Sequence, residues 1–338
     1  MCYKEAILLG VGKKEGQLTM VEGDEAARRA AGQYGRRRYL PALLVLFFLW
    51  PTAGHAAPGV TGQAAVQVPR GHFSPGGSNR VWFDPAGKPL PYTTEDEVLD
   101  FMRTARVVQI DEIEEGVSEP RKVLLEKDGI RLHAIFRDVN YDGRGRTTIL
   151  ADGSKVIGFR DSYLFEVAAY ELSRLLGLDN VPPTVLRTIG GDHGSLQLWI
   201  EGSMSDSVRL KQRKNPPDGT RWSRQMYVMK VFDELIYNTD RNLGNILSDR
   251  DWKLWMVDHT RAFRSSHELM SPEQIFRCER NLWENLQKLD EGVAKNRLKE
   301  YLGPEEIRGL LKRREKLVSY IRGLIEKYGE NQILYAFH

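Results

Sequence analysis

A helix, a polar loop and two short strands in immediate succession leave few arrangements open to residues 225–258. Gln225 to Tyr237 reads as an apolar, buried helix. The loop Asn238-Thr239-Asp240-Arg241-Asn242-Leu243-Gly244-Asn245 follows it, and then come Ile246-Leu247 and Trp252 to Val257, two strands about Asp249-Arg250-Asp251. A loop at the end of a helix presents Asp240 and Asn245 together, and a hairpin returns Asp258 beside them. Asp and Asn are also ordinary turn formers. That plainer reading accounts for each loop residue but not for a carboxylate closing the Trp255-Met256-Val257 strand.

These residue types suit one chemistry. Phosphoryl transfer asks little covalent help of a protein; it needs a carboxylate near the attacking hydroxyl and metal ions against the phosphates. Asp240 is placed to accept or orient a hydroxyl proton. Asn245 and Asp258 supply an amide and a carboxylate oxygen, hard ligands suited to Mg²⁺ or Mn²⁺.

Upstream, Thr94 and Glu97 form a capping-box pattern opening a helix to about Arg106. Lys122–Lys127 and Ile130–Phe136 flank Asp128-Gly129, a hairpin signal. Residues 140–156 read as a Gly-rich loop, and Tyr163–Leu176 as a helix stopped by Gly177. Glu166 lies off that helix's leucine stripe, so a solvated position and a functional one are equally open. Val185–Ile189 and Ser195–Ile200 read as strands, and Glu305–Tyr328 as a long one-faced helix. The cations at 209–224 read as a solvated surface; Trp199, Trp252 and Trp255 as core; His133 as a structural strand residue; and His259 as a local hydrogen-bonding residue.

Charge separates the N-terminal stretch from the rest. The chain of 338 residues carries 49 Lys and Arg against 46 Asp and Glu. Residues 1–57 hold eight of the former and five of the latter, which leaves 41 of each in 58–338. This balance, and 41% hydrophobic content, exclude a disordered, collagen-like or polytopic membrane chain and give no reason to expect nucleic acid. Arg36-Arg37-Arg38, the apolar run Tyr39–Trp50 and the small residues to Ala57 describe a secretory signal peptide, cleaved near Ala56, with Met20 a candidate start. The run is short of the roughly 20 residues of a bilayer span, so an N-terminal anchor is the alternative reading, and membrane contact is expected only through an uncleaved leader. Cleavage would remove Cys2 and leave Cys278 as a structural thiol. Residues 58–92 form a Pro/Gly-rich arm. The remainder divides at the Leu198–Trp199 junction, 93–198 and 199–338.

The chain resembles the atypical kinases in three motifs taken in order. Asp240-Arg241-x-x-x-Asn245-Ile246-Leu247 with a strand ending in Asp258 is similar to the catalytic and metal-binding loops of phosphatidylinositol 3/4-kinases and HipA-like kinases. Glu166-Val167-Ala168-Ala169, the following leucines, Val181-Pro182-Pro183 and Arg187 look most like the secretory-pathway kinases that include Golgi casein kinase and glycosaminoglycan xylosylkinase. The likeness runs over roughly 160 residues, from about 119 to 280.

The resemblance implies an α+β, bilobal protein-kinase-like fold with a small β-rich N-lobe and a mostly helical C-lobe. It implies ATP or another nucleotide with Mg²⁺ or Mn²⁺, and a hydroxyl-bearing acceptor. Asp240 would be the catalytic carboxylate, Asn245 and Asp258 the metal ligands, and Glu166 the helix glutamate that pairs with a strand cation or contacts metal. Leu198 and Trp199 would receive adenine. Glu115-Gly116-Val117-Ser118 or the Asp128-Gly129 hairpin would cover the phosphates. The chain departs from the family where the strand ends in Phe136-Arg137 rather than Phe-Lys, and where His259-Thr260 follows Asp258 with no glycine. Arg137 keeps the charge but not the shape of lysine, with Lys122 and Lys155 as possible substitutes. A non-catalytic pseudokinase and a nucleotidyl transferase are therefore the competing readings.

Overall fold

The computed structural model describes residues 80–113, 120–150 and 153–337. The leader, the arm before Arg80 and the Glu115–Ser118 segment lie outside the described residues.

Residues 80–92 close on themselves: Phe83 bridges Pro89, and Leu90 N–H donates to the Trp82 carbonyl at 2.7 Å. Trp82 and Leu90 are buried. Helix α1 (Glu95–Thr104) opens on the expected capping box, with Thr94 Oγ1 accepting from Glu97 N–H and Glu97 Oε2 from Thr94 N–H. It stops at Thr104 rather than Arg106, because Arg106 begins strand β1 (Arg106–Glu112). Nothing in the sequence signals β1: it is a largely exposed edge strand with a bulge between Val107 and Gln109, so it lacks alternation.

Strands β2 (Arg121–Lys127) and β3 (Ile130–Arg137) form the expected hairpin. Asp128 and Gly129 both take positive φ, 53° and 75°, as a two-residue mirror-image turn requires. The expected loop at 140–156 is instead two hairpins, one inside the other. Strand β4 (Asn140–Asp142) pairs with β7 (Arg160–Ser162), and β5 (Thr147–Ile149) with β6 (Lys155–Ile157). Backbone pairing holds them together, and β4, β5 and β6 bury little.

Helix α2 (Tyr163–Leu175) is capped by Ser162, and Gly177 turns the chain at φ 70°. Strands β8 (Thr184–Ile189) and β9 (Asp192–Leu198) complete an antiparallel sheet in the order β1-β2-β3-β9-β8. Val123, Leu125, Leu132, Ala134, Phe136 and Leu196 form its buried face.

Beyond Leu198 the chain is mostly helical. Strand β10 (Met204–Ser205) and helix α3 (Asp206–Lys211) precede α4 (Gly219–Ile236). Capped by Asp218, α4 begins at Gly219, six residues before the sequence suggests, since its first turns are polar and basic. The 209–224 cations are not all solvated either: Arg209 is buried, paired with Asp206 and stacked 5.2 Å from the Trp222 ring. Strands β11 (Ile246–Ser248) and β12 (Leu254–Met256) join β10 in a three-stranded sheet ordered β10-β11-β12. Strand β13 (Cys278–Glu279), helices α5 (Arg280–Lys288), α6 (Glu291–Leu298), α7 (Pro304–Tyr328) and α8 (Glu330–Ile333), and strand β14 (Leu334–Tyr335) follow. Burial pushes the Cys278 thiol above its ordinary range, consistent with a structural role. Among the described residues no helix is long and apolar enough to cross a membrane.

Candidate active site

The end of α4 builds the loop that carries Asp240. Tyr237 adopts a left-handed cap at φ 54°, and Asn238 folds back, its N–H on the Asp233 carbonyl at 2.9 Å and its amide on Asp233 Oδ1 at 3.1 Å. Asn238 Oδ1 then accepts from the Asp240 N–H at 3.1 Å. Arg241 is the clamp. Its Nε and Nη2 donate to Asp233 at 3.1 and 3.0 Å, and its Nη1 donates to the carbonyls of Asn245 and Val257 at 2.8 and 2.6 Å. One buried guanidinium thus joins the helix, the loop and both arms of the β11–β12 hairpin. The sequence reading missed it; the only signal was an Arg beside Asp240 with Asp233 one helical turn before the loop.

The hairpin sets Asn245 against Asp258. Ile246 pairs with Met256, and Val257 N–H donates to the Asn245 carbonyl at 3.2 Å. Asn245 Nδ2 is committed to the Asp240 carbonyl at 2.9 Å, which leaves Oδ1 as an acceptor without a partner among the described residues. Asp258 kinks the chain at φ 60°, and its Oδ1 accepts from Thr260 Oγ1 at 3.2 Å, leaving Oδ2 open. Two free oxygens fit a hard divalent cation that takes its other ligands from phosphates and water, as Mg²⁺ does. Among the described residues no group of three or more His, Cys, Asp or Glu is placed to hold a metal ion.

Glu166 comes down on this loop from α2. It is fully buried rather than solvated, because residues 258–260 cover the helix face away from the leucine stripe. Its Oε1 accepts the His259 N–H at 2.6 Å, and its Oε2 accepts from His259 Nδ1 at 3.2 Å and Gln197 Nε2 at 3.1 Å. Burial pushes its carboxyl up, but the Arg137 charge and the His259 hydrogen bonds outweigh it and hold the group down at about 2. His259 is thus a local hydrogen-bonding residue.

Arg137 ends β3 opposite Ser195 on β9 and is 6% exposed. Among the described residues it makes no direct ion pair with Glu166, and its Nη1 is buried without a partner. An unmet guanidinium donor beside the metal-ligand candidates fits an anionic oxygen such as phosphate. Neither substitute cation replaces it: Lys122 sits 4.3 Å from the Trp199 ring, and Lys155 is exposed on β6.

The structure therefore brings Arg137, Glu166, Asp240, Asn245 and Asp258 to one place. Leu198 and Trp199 line a different space, a pocket of about 360 Å³ with Trp82, Asp179, Lys253 and Trp255 among its walls and none of those five residues. Here Arg80 lies between the Trp82 and Trp255 rings, 4.9 and 4.7 Å from their centroids, and pairs with Asp179 at 2.5 Å. Burial pushes the Lys253 ammonium down to about 8, against the attraction of Asp179. Ser118 lies outside the described residues.

No family model matches the sequence, and no curated protein matches it. Solved structures do. A hydra Fam20 determined with sugar superposes with a TM-score of 0.54 at 14% identity, over 72% of this chain and 92% of that one. The Golgi casein kinase gives 0.51 at 15% identity, over 71% of this chain and 77% of that one, and its Mn/ADP-bound form gives 0.51 at 15%, over 71% and 78%. With the five-stranded sheet ahead of a mostly helical half, this establishes the fold as α+β and Fam20-like, that of the atypical secretory kinases.

Proposed function

We propose that the chain is an atypical kinase that transfers the γ-phosphoryl group of ATP or another nucleotide to a hydroxyl of a protein or glycan, with Mg²⁺ or Mn²⁺. The observation that carries this reading is the pair of open oxygens, Asn245 Oδ1 and Asp258 Oδ2, at the mouth of the hairpin that also fixes Asp240. The divalent ion would neutralise phosphate charge. Arg137 Nη1 binds a phosphate oxygen, Glu166 keeps His259 and the Asp258 backbone in register, and Asp240 takes the acceptor proton. The Mn/ADP bound to the Golgi casein kinase and the sugar with the hydra protein support nucleotide, metal and a hydroxyl-bearing acceptor. The Arg36–Ala57 leader supports action after export.

The test is Mn²⁺- or Mg²⁺-dependent phosphate transfer by the full-length chain. Asp240→Ala is expected to keep nucleotide binding and lose turnover; Asp258→Ala is expected to lose the metal dependence of binding. Equal behaviour of wild type and Asp258→Ala would sink the metal assignment. A second reading, a nucleotide-binding pseudokinase, is favoured by Arg137 in place of lysine with no direct pair to Glu166. It requires metal-dependent nucleotide binding with no product for any acceptor, and the mass of a product separates phosphate from nucleotidyl transfer.

A further inference from the structure

Three residues past Asp258, Arg261 holds a position that neither the motifs nor the proposed chemistry uses. Its side chain is 20% exposed. Nη1 donates to Asp240 Oδ2 at 2.9 Å, and Nε donates to Asp161 Oδ2 at 3.1 Å, with the Phe159 ring 5.3 Å from the guanidinium. Asp161 is on β7, the strand that leads through Ser162 into α2 and so to Glu166. It is buried, and among the described residues its Oδ1 has no partner and Arg261 is its one hydrogen-bonded side chain. Among the described residues the other Asp240 oxygen, Oδ1, meets only Asn242 Nδ2, at 3.3 Å.

We propose that Arg261 is a positioning residue for Asp240, and that Asp161 sets it from the opposite lobe. A carboxylate free to rotate offers its proton-accepting oxygen in the wrong direction much of the time. A guanidinium fixed at Nε and bonded through Nη1 pins one oxygen and leaves Oδ1 to the acceptor hydroxyl. The relay Asp161–Arg261–Asp240 spans the two lobes. Asp240 is therefore oriented for transfer only while β7 and the 258–261 segment stay together, a contact that Ser162 N–H to the Thr260 carbonyl, at 2.9 Å, also reports.

The inference rests on the phosphotransfer reading. Its test is steady-state transfer kinetics of the full-length chain, with nucleotide affinity measured separately by calorimetry. Arg261→Gln is expected to lower kcat by about 10²-fold, the scale of a misplaced reacting group, and to leave nucleotide affinity within about twofold. Arg261→Lys, which keeps the charge but loses the fork, is expected to recover part of that loss. Asp161→Asn is expected to lower kcat in the wild-type background and to add nothing in Arg261→Gln, since both act through one contact. A wild-type kcat in Arg261→Gln, or losses that multiply in the double variant, would overturn the inference alone. No turnover by the wild-type chain would end the phosphotransfer reading and this inference with it.

Discussion

Glu166 is a full negative charge with no exposure, held by one histidine, one glutamine and the field of Arg137. Its folded pKa, about 2, lies below the ordinary carboxylate value of 4.5. A depressed pKa contributes stability that is complete above the unfolded value and fades as pH falls through the folded one. The contribution from Glu166 is thus expected to be whole at neutral pH and to drain away between about pH 4.5 and 2. Glu166→Gln removes the charge that the Arg137 field and the His259 hydrogen bonds stabilise, and is expected to cost about 3 kcal/mol at pH 7. Denaturant unfolding at a series of pH values checks both: the variant should start lower and flatten through the acid range. An equal slope in the two proteins would contradict the charge assignment. Glu166 also marks where sequence reading stops. Its place off the leucine stripe is visible in the periodicity, but its cover comes from residues some ninety positions away, which no local pattern records. The loop and hairpin that carry Asp240, Asn245 and Asp258 were legible because turn residues and short apolar runs are local signals. Arg241 and Arg261 were not, because their partners are backbone carbonyls and side chains that only the fold brings near.

Strands β3 and β9 meet more closely than side chains ordinarily allow. A Cβ on Gly194 would lie 2.3 Å from the Arg137 carbonyl and 2.6 Å from Phe136 Cζ. Gly194 is therefore the residue that lets β9 lie against the end of β3, where Arg137 stands opposite Ser195. Gly194→Ala is expected to destabilise the protein by about 1–3 kcal/mol by overpacking. It is also expected to weaken nucleotide binding, since the displaced backbone carries Arg137; thermal unfolding and calorimetry measure the two effects. The elements follow the same division as the residues. The β2–β3 hairpin, α2 and α7 announce themselves through a turn dipeptide, a cap or a one-faced stripe. Strands β1, β4, β5 and β6 bury too little to show alternation, and backbone pairing defines them.

Across the molecule, residues 80–92 fasten the back of the junction between the lobes. Arg80 reaches Asp179, which precedes β8, and stacks on Trp255 in the helical half, while Arg250 lies 4.6 Å from the Phe83 ring. Trp82 is 6% exposed, and truncating it removes the ring that packs 6.1 Å from Trp255 and 4.9 Å from the Arg80 guanidinium across this seam. Trp82→Ala is expected to cost about 3–5 kcal/mol, read as a lowered denaturation midpoint with an unchanged slope. A midpoint within error of wild type would show that the segment merely lies on the surface. At the front of the same junction, Asp258 offers the open oxygen, His259 binds Glu166, the Thr260 carbonyl takes Ser162 N–H and Arg261 holds Asp240. These are four consecutive residues with four different duties. Adding or dropping a single residue would move every duty onto the wrong side chain at once, so chain length through this stretch is fixed more tightly than composition.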